Sequence, residues 1–222
     1  MNTDVAAVPE TAARTAWRLV QRLLALSLLI ALSPVLAVLW AAVRLGSRGP
    51  FLYGQLRPGL RGRPFRVWKI RTMQVGADRT AAHGLAVARD DPQVTRLGRV
   101  LRDLKIDELP QLWNVVRGEM EFVGPRPIAF VLHEKLRAEL PGFERRVAVR
   151  PGLTNVAQVS ILDNRPAAEV TADWALRLQA DLHYLAHRTV AMDLVVIALT
   201  VVFVLRKALR RAARARSAPA AA

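Results

Sequence analysis

The sequence predicts an α+β fold: a mainly helical, membrane-associated domain with short strands, led by a re-entrant membrane helix broken at Ser33-Pro34. Three observations predict it. An apolar run without a charge, Leu23–Val43, separates Arg22 from Arg44. Residues 44–105 are rich in Gly, Pro and Arg and carry short apolar alternation, the mark of strands and turns. Beyond residue 105, several stretches have the spacing and end signals of helices. The 222 residues suit one compact domain with attached membrane-binding elements, and a hydrophobic fraction of 52% is high for a soluble one.

Residues 1–13 are small and polar and read as a disordered N-terminus. The membrane helix is assigned to 14–46. Its apolar run is too long for a signal peptide, and no small-residue cleavage site follows it. Pro34 lacks an amide hydrogen and clashes with the carbonyl of Ile30, so the helix should kink or break there. Arg14, Arg18 and Arg22 precede the run, and Arg44, Arg48, Arg57, Arg61 and Arg63 follow it. Positive residues favour the cytoplasmic side. A helix that enters, breaks and returns to the same face satisfies both flanks, and this is preferred to a single span. Each half would be about 16 Å long at about 1.5 Å per residue, roughly half a bilayer core.

The main domain is assigned to 47–205. Pro64–Ile70 alternates like a strand. DELPQLWNVVRG, from Asp107, reads as a helix start with acids in its first turn, Pro110 early and Gly118 as terminator. Ile128–Leu140 is a second helix, closed by Pro141-Gly142, and Arg150 to Thr154 reads as a turn. Val170–His187 is helical, and Thr189–Leu205 lies against the domain or in the membrane interface. Residues 206–222 form a basic tail, frayed and attracted to anionic lipid.

Lys and Arg total 33 against 18 Asp and Glu, a formal net charge of +15 carried mostly by arginine. Guanidinium forks hold phosphate in a bidentate way, so the excess points to anionic lipid or phosphorylated substrates, with codon habit as the plainer alternative. No basic stripe interleaves with aromatics, so nucleic acid is not an expected partner. The absence of cysteine excludes disulfides, thiolate zinc sites and a cysteine nucleophile. His183 and His187 stand four apart without an acid partner and read as an ordinary helix face.

The chemistry concentrates in Asp91–Pro127. Asp107 and Glu108 sit side by side, with Arg96, Arg99 and Arg102 just upstream. A carboxylate at a helix N-terminus stays ionised and can serve as nucleophile or magnesium ligand, while the arginines can neutralise a diphosphate. A capped surface helix with acids in its first turn is the other reading of a bare acidic pair. Lys69 and Arg71 either contact phosphates or snorkel at an interface. Arg126, rigid between Pro125 and Pro127, is the better phosphate candidate, and Arg102 ranks beside it.

These residues belong to a longer pattern. Ser33-Pro34 is followed by Gly49-Pro50, Gln55, Arg57, Gly59, Gly62, Phe65 and then Lys69-Ile70-Arg71-Thr72-Met73. Asp91-Pro92, Thr95-Arg96, Gly98-Arg99 and Leu101-Arg102 lead into DELPQL at 107–112 and Asn114-Val115. Gly118-Glu119-Met120, Val123 to Pro127 and Pro151 to Thr154 come next, with Asp181, Tyr184, Asp193 and Thr200 near the end. Over residues 15–205 the chain resembles the bacterial sugar transferases, the monotopic polyprenyl-phosphate phosphoglycosyl transferases, in the small form without an N-terminal multi-span domain.

The resemblance implies a two-step enzyme at the cytoplasmic face of the bacterial inner membrane. Asp107 would attack the sugar-linked phosphate of a UDP-sugar, giving a phosphosugar-aspartyl intermediate and UMP. Undecaprenyl phosphate would then take the phosphosugar, initiating exopolysaccharide, capsule, O-antigen or glycoprotein glycan synthesis. Mg2+ would be held by Asp107 and Glu108, with Glu108 as accessory ligand or hydrogen-bond partner. Lys69, Arg71, Arg99, Arg102, Arg126 and Arg165 are the substrate-binding candidates. Membrane lipid is an expected partner, and a homodimer is allowed. Departures from the family pattern are Gln21, Glu121, Asn155 and the stretch Ser160 to Arg165, where Arg165 stands in for an expected Gly-Arg. They bear on the choice of donor sugar more than on the chemistry. An inactive membrane scaffold and a nucleotide-sugar phosphohydrolase are the rival readings.

Overall fold

The computed structural model describes residues 11–77, 91–160 and 170–217. The chain opens with α1, Ala12–Gly46, capped by Thr11, whose hydroxyl accepts from the Arg14 amide at 3.2 Å. The helix runs through Pro34 without interruption, which corrects the expected break. Ser33 gives a reason. Its hydroxyl donates to the Ile30 carbonyl at 2.7 Å, the acceptor that proline cannot serve.

Both ends of α1 are nonetheless fastened to one domain. Near its start, Gln21 accepts from the Phe122 amide at 2.6 Å, and Arg22 donates to the Val116 carbonyl at 2.8 Å. At its far end Val43 packs with Ile70 and Leu101. The opposite face leaves Leu19, Leu23, Ile30, Val38 and Trp40 exposed. The helix is long and apolar enough to cross a membrane, and 6% of its most apolar window is buried in protein.

Strands β1, Leu52–Pro58, and β2, Pro64–Ile70, form an antiparallel hairpin with Gln55 opposite Val67. Period-two alternation buries Phe65 and Val67 and sets Lys69 on their face, toward the interior. Arg71 follows at once and donates to the carbonyls of Ser47, Arg48 and Pro50 at 3.0, 2.9 and 2.6 Å. That guanidinium ties down the turn that leaves α1.

Helix α2, Arg96–Asp103, was not read from the sequence; Thr95 caps it by accepting from Gly98 at 2.9 Å. Gly98 is required there, because a Cβ would come within 2.1 Å of the Thr72 carbonyl oxygen. A 3-10 turn, Ile106–Glu108, links α2 to α3, Gln111–Val116, and Gly118 at φ 74° ends that segment. The expected continuous helix from Asp107 is thus a tight turn followed by a short helix. Strand β3, Glu121–Val123, pairs in parallel with β4, Gly152–Thr154, where a turn was expected. Between them lie α4, Phe130–Glu139, and a 3-10 segment, Phe143–Ala148. Helices α5, Val156–Ser160, α6, Val170–His187, and α7, Val190–Ser217, complete the fold. The basic tail from 206 is helical through Ser217, which corrects its expected fraying.

The main core joins Phe65 and Val67 of the hairpin to Leu112 and Val115 of α3, Phe122 of β3, Tyr184 and Val196. Asn114, fully buried, welds α3 to β2: its amide donates to the Arg66 carbonyl at 2.7 Å, and its side-chain oxygen accepts from the Trp68 amide at 3.3 Å. A second core of Ile128, Leu132, Leu136, Phe143 and Leu178 supports the segment after β3. The hairpin, the 3-10 turn and the Pro125–Pro127 segment converge, and the two carboxylates lie among them.

Candidate active site

Asp107 and Glu108 are both buried, each 7% exposed, in the 3-10 turn between α2 and α3. No long helix begins at the pair, so the expected helix-dipole support for their charge is absent. Side-chain cations supply it. Lys69 of β2 donates to Glu108 Oε1 at 3.0 Å. Arg126 grips both oxygens of Glu108, with Nη1 to Oε2 at 3.3 Å and Nη2 on Oε1, and reaches Gln158 Oε1 of α5 at 3.4 Å. Burial works to raise the Glu108 carboxyl, but Arg126, Lys69 and Lys105 outweigh it and hold it well below the ordinary value of 4.5.

Its neighbour is the opposite case. Burial pushes the Asp107 carboxyl above its ordinary 3.8, the Glu108 charge adds to the rise, and attraction to Lys69, Lys105 and Arg102 only partly offsets it. Asp107 Oδ1 is buried without a hydrogen-bond partner. An unmatched carboxylate oxygen is costly in a folded chain and is a mark of sites that await a ligand or a reaction. Glu108 is a pinned anion, while Asp107 is an underused one.

The rest of the sequence-predicted set is divided. Lys69 and Arg126 meet at the dyad. Arg102 stands one turn behind it, its Nε donating to Thr72 Oγ1 at 2.8 Å while its charge acts on Asp107. Arg99 is exposed one helical turn earlier on α2. Arg71 does not join them, because backbone carbonyls occupy its guanidinium, and a structural role replaces the expected phosphate contact. Arg165 lies outside the described residues.

Three site residues were missed as candidates. Arg57 of β1 bonds Gln55, and burial beside the Arg126 charge lowers it to about 10. Its place in the hairpin block was visible, but its reach to Arg126 was not. Gln158 touches Arg126, a contact that only the fold creates. Lys105, one residue before the turn, is lowered by burial despite its attraction to Glu108 and Asp107, and repulsion from Arg126 and Lys69 adds to the lowering. A further residue acts behind the site. Arg146 is clamped to Asp181 at 2.7 Å and donates to the Arg126 carbonyl at 2.9 Å, holding the Pro125–Pro127 segment in place.

Among the described residues no cluster of three or more His, Cys, Asp or Glu side chains could cage a metal ion. Asp107, rather than the expected pair, fits magnesium, which commonly takes one carboxylate together with waters and substrate phosphates. Asp107 offers a free oxygen for that purpose, whereas both oxygens of Glu108 already face cations.

Among the described residues, cations thus surround one pinned and one unmatched carboxylate. The chain belongs to the bacterial sugar transferase family, whose model matches residues 12–207. It is 42% identical over 181 residues to a UDP-glucose:undecaprenyl-phosphate glucose-1-phosphate transferase of Caulobacter vibrioides, covering 80% of this chain and 65% of that one. It is 37% identical over 178 residues to the Escherichia coli protein of the same name, covering 80% of this chain and 38% of that one. The exopolysaccharide production protein PSS of Rhizobium leguminosarum is 37% identical over 184 residues, with 80% of this chain and 88% of the relative covered. The chain therefore spans well under the full length of the first two relatives.

Proposed function

We propose that this chain transfers a sugar 1-phosphate from a UDP-sugar to undecaprenyl phosphate at a membrane surface, as a first step of surface-polysaccharide assembly. One observation carries the reading: within a family-wide match, Asp107 keeps a buried, unmatched oxygen beside a Glu108 held by Lys69 and Arg126. The relatives' names supply the donor and acceptor classes.

Asp107 attacks the sugar-bearing phosphorus of the donor. An aspartyl oxygen-phosphorus bond forms, the bond to the bridging oxygen breaks, and UMP leaves with that electron pair. A phosphate oxygen of the lipid then attacks the same phosphorus, releases the Asp107 carboxylate and leaves a lipid diphosphosugar. Splitting the displacement in two keeps each step within reach of a single positioned nucleophile. Arg126, fixed by Arg146 and two prolines, and Lys69 orient the diphosphate and offset its charge. Glu108 holds those cations in register. Magnesium, held through the Asp107 carboxylate and the donor phosphates, would neutralise diphosphate charge.

The membrane reading rests on α1 and α7. The first is tied to the domain at both ends, so it lies along one membrane face, with Leu23, Ile30 and Val38 turned to lipid. The second exposes Leu194, Val195, Leu199, Val202 and Leu205 and continues into the basic segment. Arginines at both flanks of α1 favour the cytoplasmic face of the bacterial inner membrane.

The test is to incubate the purified protein with undecaprenyl phosphate, magnesium and a panel of UDP-sugars. UMP and a lipid-linked diphosphosugar are expected with at least one donor, and both are lost with EDTA. No UMP from any donor, in protein shown to be folded, would overturn the reading.

A further inference from the structure

Lys105 is an unusual residue for its place. It follows α2 in the left-handed region, at φ 61°, where a chain leaving a helix ordinarily uses glycine or asparagine. Among the described residues outside glycine, Arg61 in the hairpin loop is the other case. Side chains bearing a Cβ rarely adopt this conformation, and residues held in it cluster where function requires them.

The local backbone shows what is gained. The Lys105 amide donates to the Arg102 carbonyl at 3.2 Å, and its own carbonyl accepts from the Glu108 amide at 3.3 Å. The residue is therefore the joint between α2 and the dyad turn. Its half-buried side chain is attracted to Glu108 and Asp107 and repelled by Arg126 and Lys69, yet its ammonium makes no hydrogen bond or ion pair among the described residues. Glu108 is already taken by Lys69 and Arg126. Among the described residues, Arg57, Lys69, Lys105 and Arg126 thus stand around two carboxylates, an excess of positive charge in a partly desolvated cluster. Cations away from water are normally matched by anions, and a diphosphate supplies the missing charge.

We infer that Lys105 is a substrate-binding residue whose ammonium holds the diphosphate of the nucleotide-sugar donor. This rests on the transferase reading above and adds a residue to it. A purely structural Lys105 makes a different forecast, because glycine at φ 61° relieves the backbone.

The experiment uses the full chain in lipid nanodiscs with magnesium, with UDP as the probe for calorimetric binding and thermal unfolding as a second readout. Lys105→Gly should keep or raise Tm while weakening UDP binding about tenfold or more, and Lys105→Arg should bind UDP within a few-fold of the wild type. In turnover assays the Gly variant should raise the KM for the donor and leave that for the lipid phosphate near the wild type. If Lys105→Gly binds UDP as tightly as the wild type, the ammonium is no donor contact and the inference fails alone. A defect confined to the lipid KM overturns it equally, assigning the charge to the acceptor. A folded wild-type chain that binds no UDP overturns the transferase reading and this inference with it.

Discussion

Two buried charge clusters use similar residues for different ends. At the start of α1, Asp193 accepts from Arg14 at 2.6 Å, Trp17 at 2.8 Å and Tyr184 at 2.7 Å, so both its oxygens are matched. Glu121 Oε2 there joins Arg14 and Arg188, at 3.0 and 3.1 Å. At the dyad, among the described residues, cations outnumber carboxylates and Asp107 Oδ1 has no hydrogen-bond partner. The first cluster fastens α1 to β3 and α7, and the atoms it leaves unmatched are donors, Arg14 Nε and Arg188 Nε. The kind of atom left unmatched, an arginine Nε in one cluster and a carboxylate oxygen in the other, separates the two more clearly than burial or charge content does.

The largest expected effect breaks the second cluster at its unmatched member. Asp107→Asn should lower turnover by on the order of 10⁴-fold, the scale of losing a nucleophile. The same change should raise stability at neutral pH. Because the folded carboxyl is raised, its protonated form stabilises the fold at low pH, and that contribution is lost as pH rises through the folded value. The Asn variant therefore gains over the wild type above that value, and the gain disappears below the ordinary 3.8. Glu108 has the opposite sign. Its carboxylate stabilises the fold above the ordinary 4.5 and stops doing so as pH falls through its depressed value, so Glu108→Gln should unfold more easily at pH 7. Thermal melts of both variants from pH 3 to 8 check this, and shifts of the same sign would remove the contrast.

Breaking the first cluster should damage the fold instead. Asp193→Ala strands Arg14 in the interior and should cost about 3–5 kcal/mol in urea unfolding. Any surviving folded protein should turn over near the wild-type rate. Next in size are Arg126→Ala and Arg102→Ala, each expected to lose about 10- to 150-fold in kcat/KM with folding retained, since a charge-assisted contact contributes about 1.5–3 kcal/mol. Wild-type turnover in either would return that arginine to a packing role. Arg71→Ala should act through the turn after α1, costing about 1–3 kcal/mol of stability with little change in turnover of the folded fraction.

What was legible in the sequence follows the same division. The apolar run of α1, the strand at Pro64–Ile70 and the helices near Ile128 and Val170 are local patterns, and they appear in the structure with small shifts at their ends. Asp107, Glu108, Lys69 and Arg126 were legible because each sits in a short motif block of one longer pattern. Pro34 misled because its effect depends on what serves the Ile30 carbonyl, and Ser33 does so. Arg71 misled because a guanidinium near phosphate ligands in sequence can be taken by carbonyls that only folding brings near. Lys105 went unseen for a third reason: a left-handed backbone announces itself through glycine, and here a lysine holds it. Helix α2 was hidden by Arg and Gly, residues that read as loop when the apolar positions Leu97 and Leu101 are few.

The central claim is that Asp107 is the nucleophile, and single-turnover donor cleavage tests it most directly. Wild-type protein mixed with its UDP-sugar and magnesium, without lipid, should release UMP up to one equivalent and then stop. Mass spectrometry of the digested protein should find a phosphosugar on the peptide carrying Asp107, absent from Asp107→Asn. Adding undecaprenyl phosphate should discharge the adduct into a lipid diphosphosugar. If UMP appears only when lipid is present, and no adduct can be trapped under any condition, transfer is direct and Asp107 serves at most as a metal ligand.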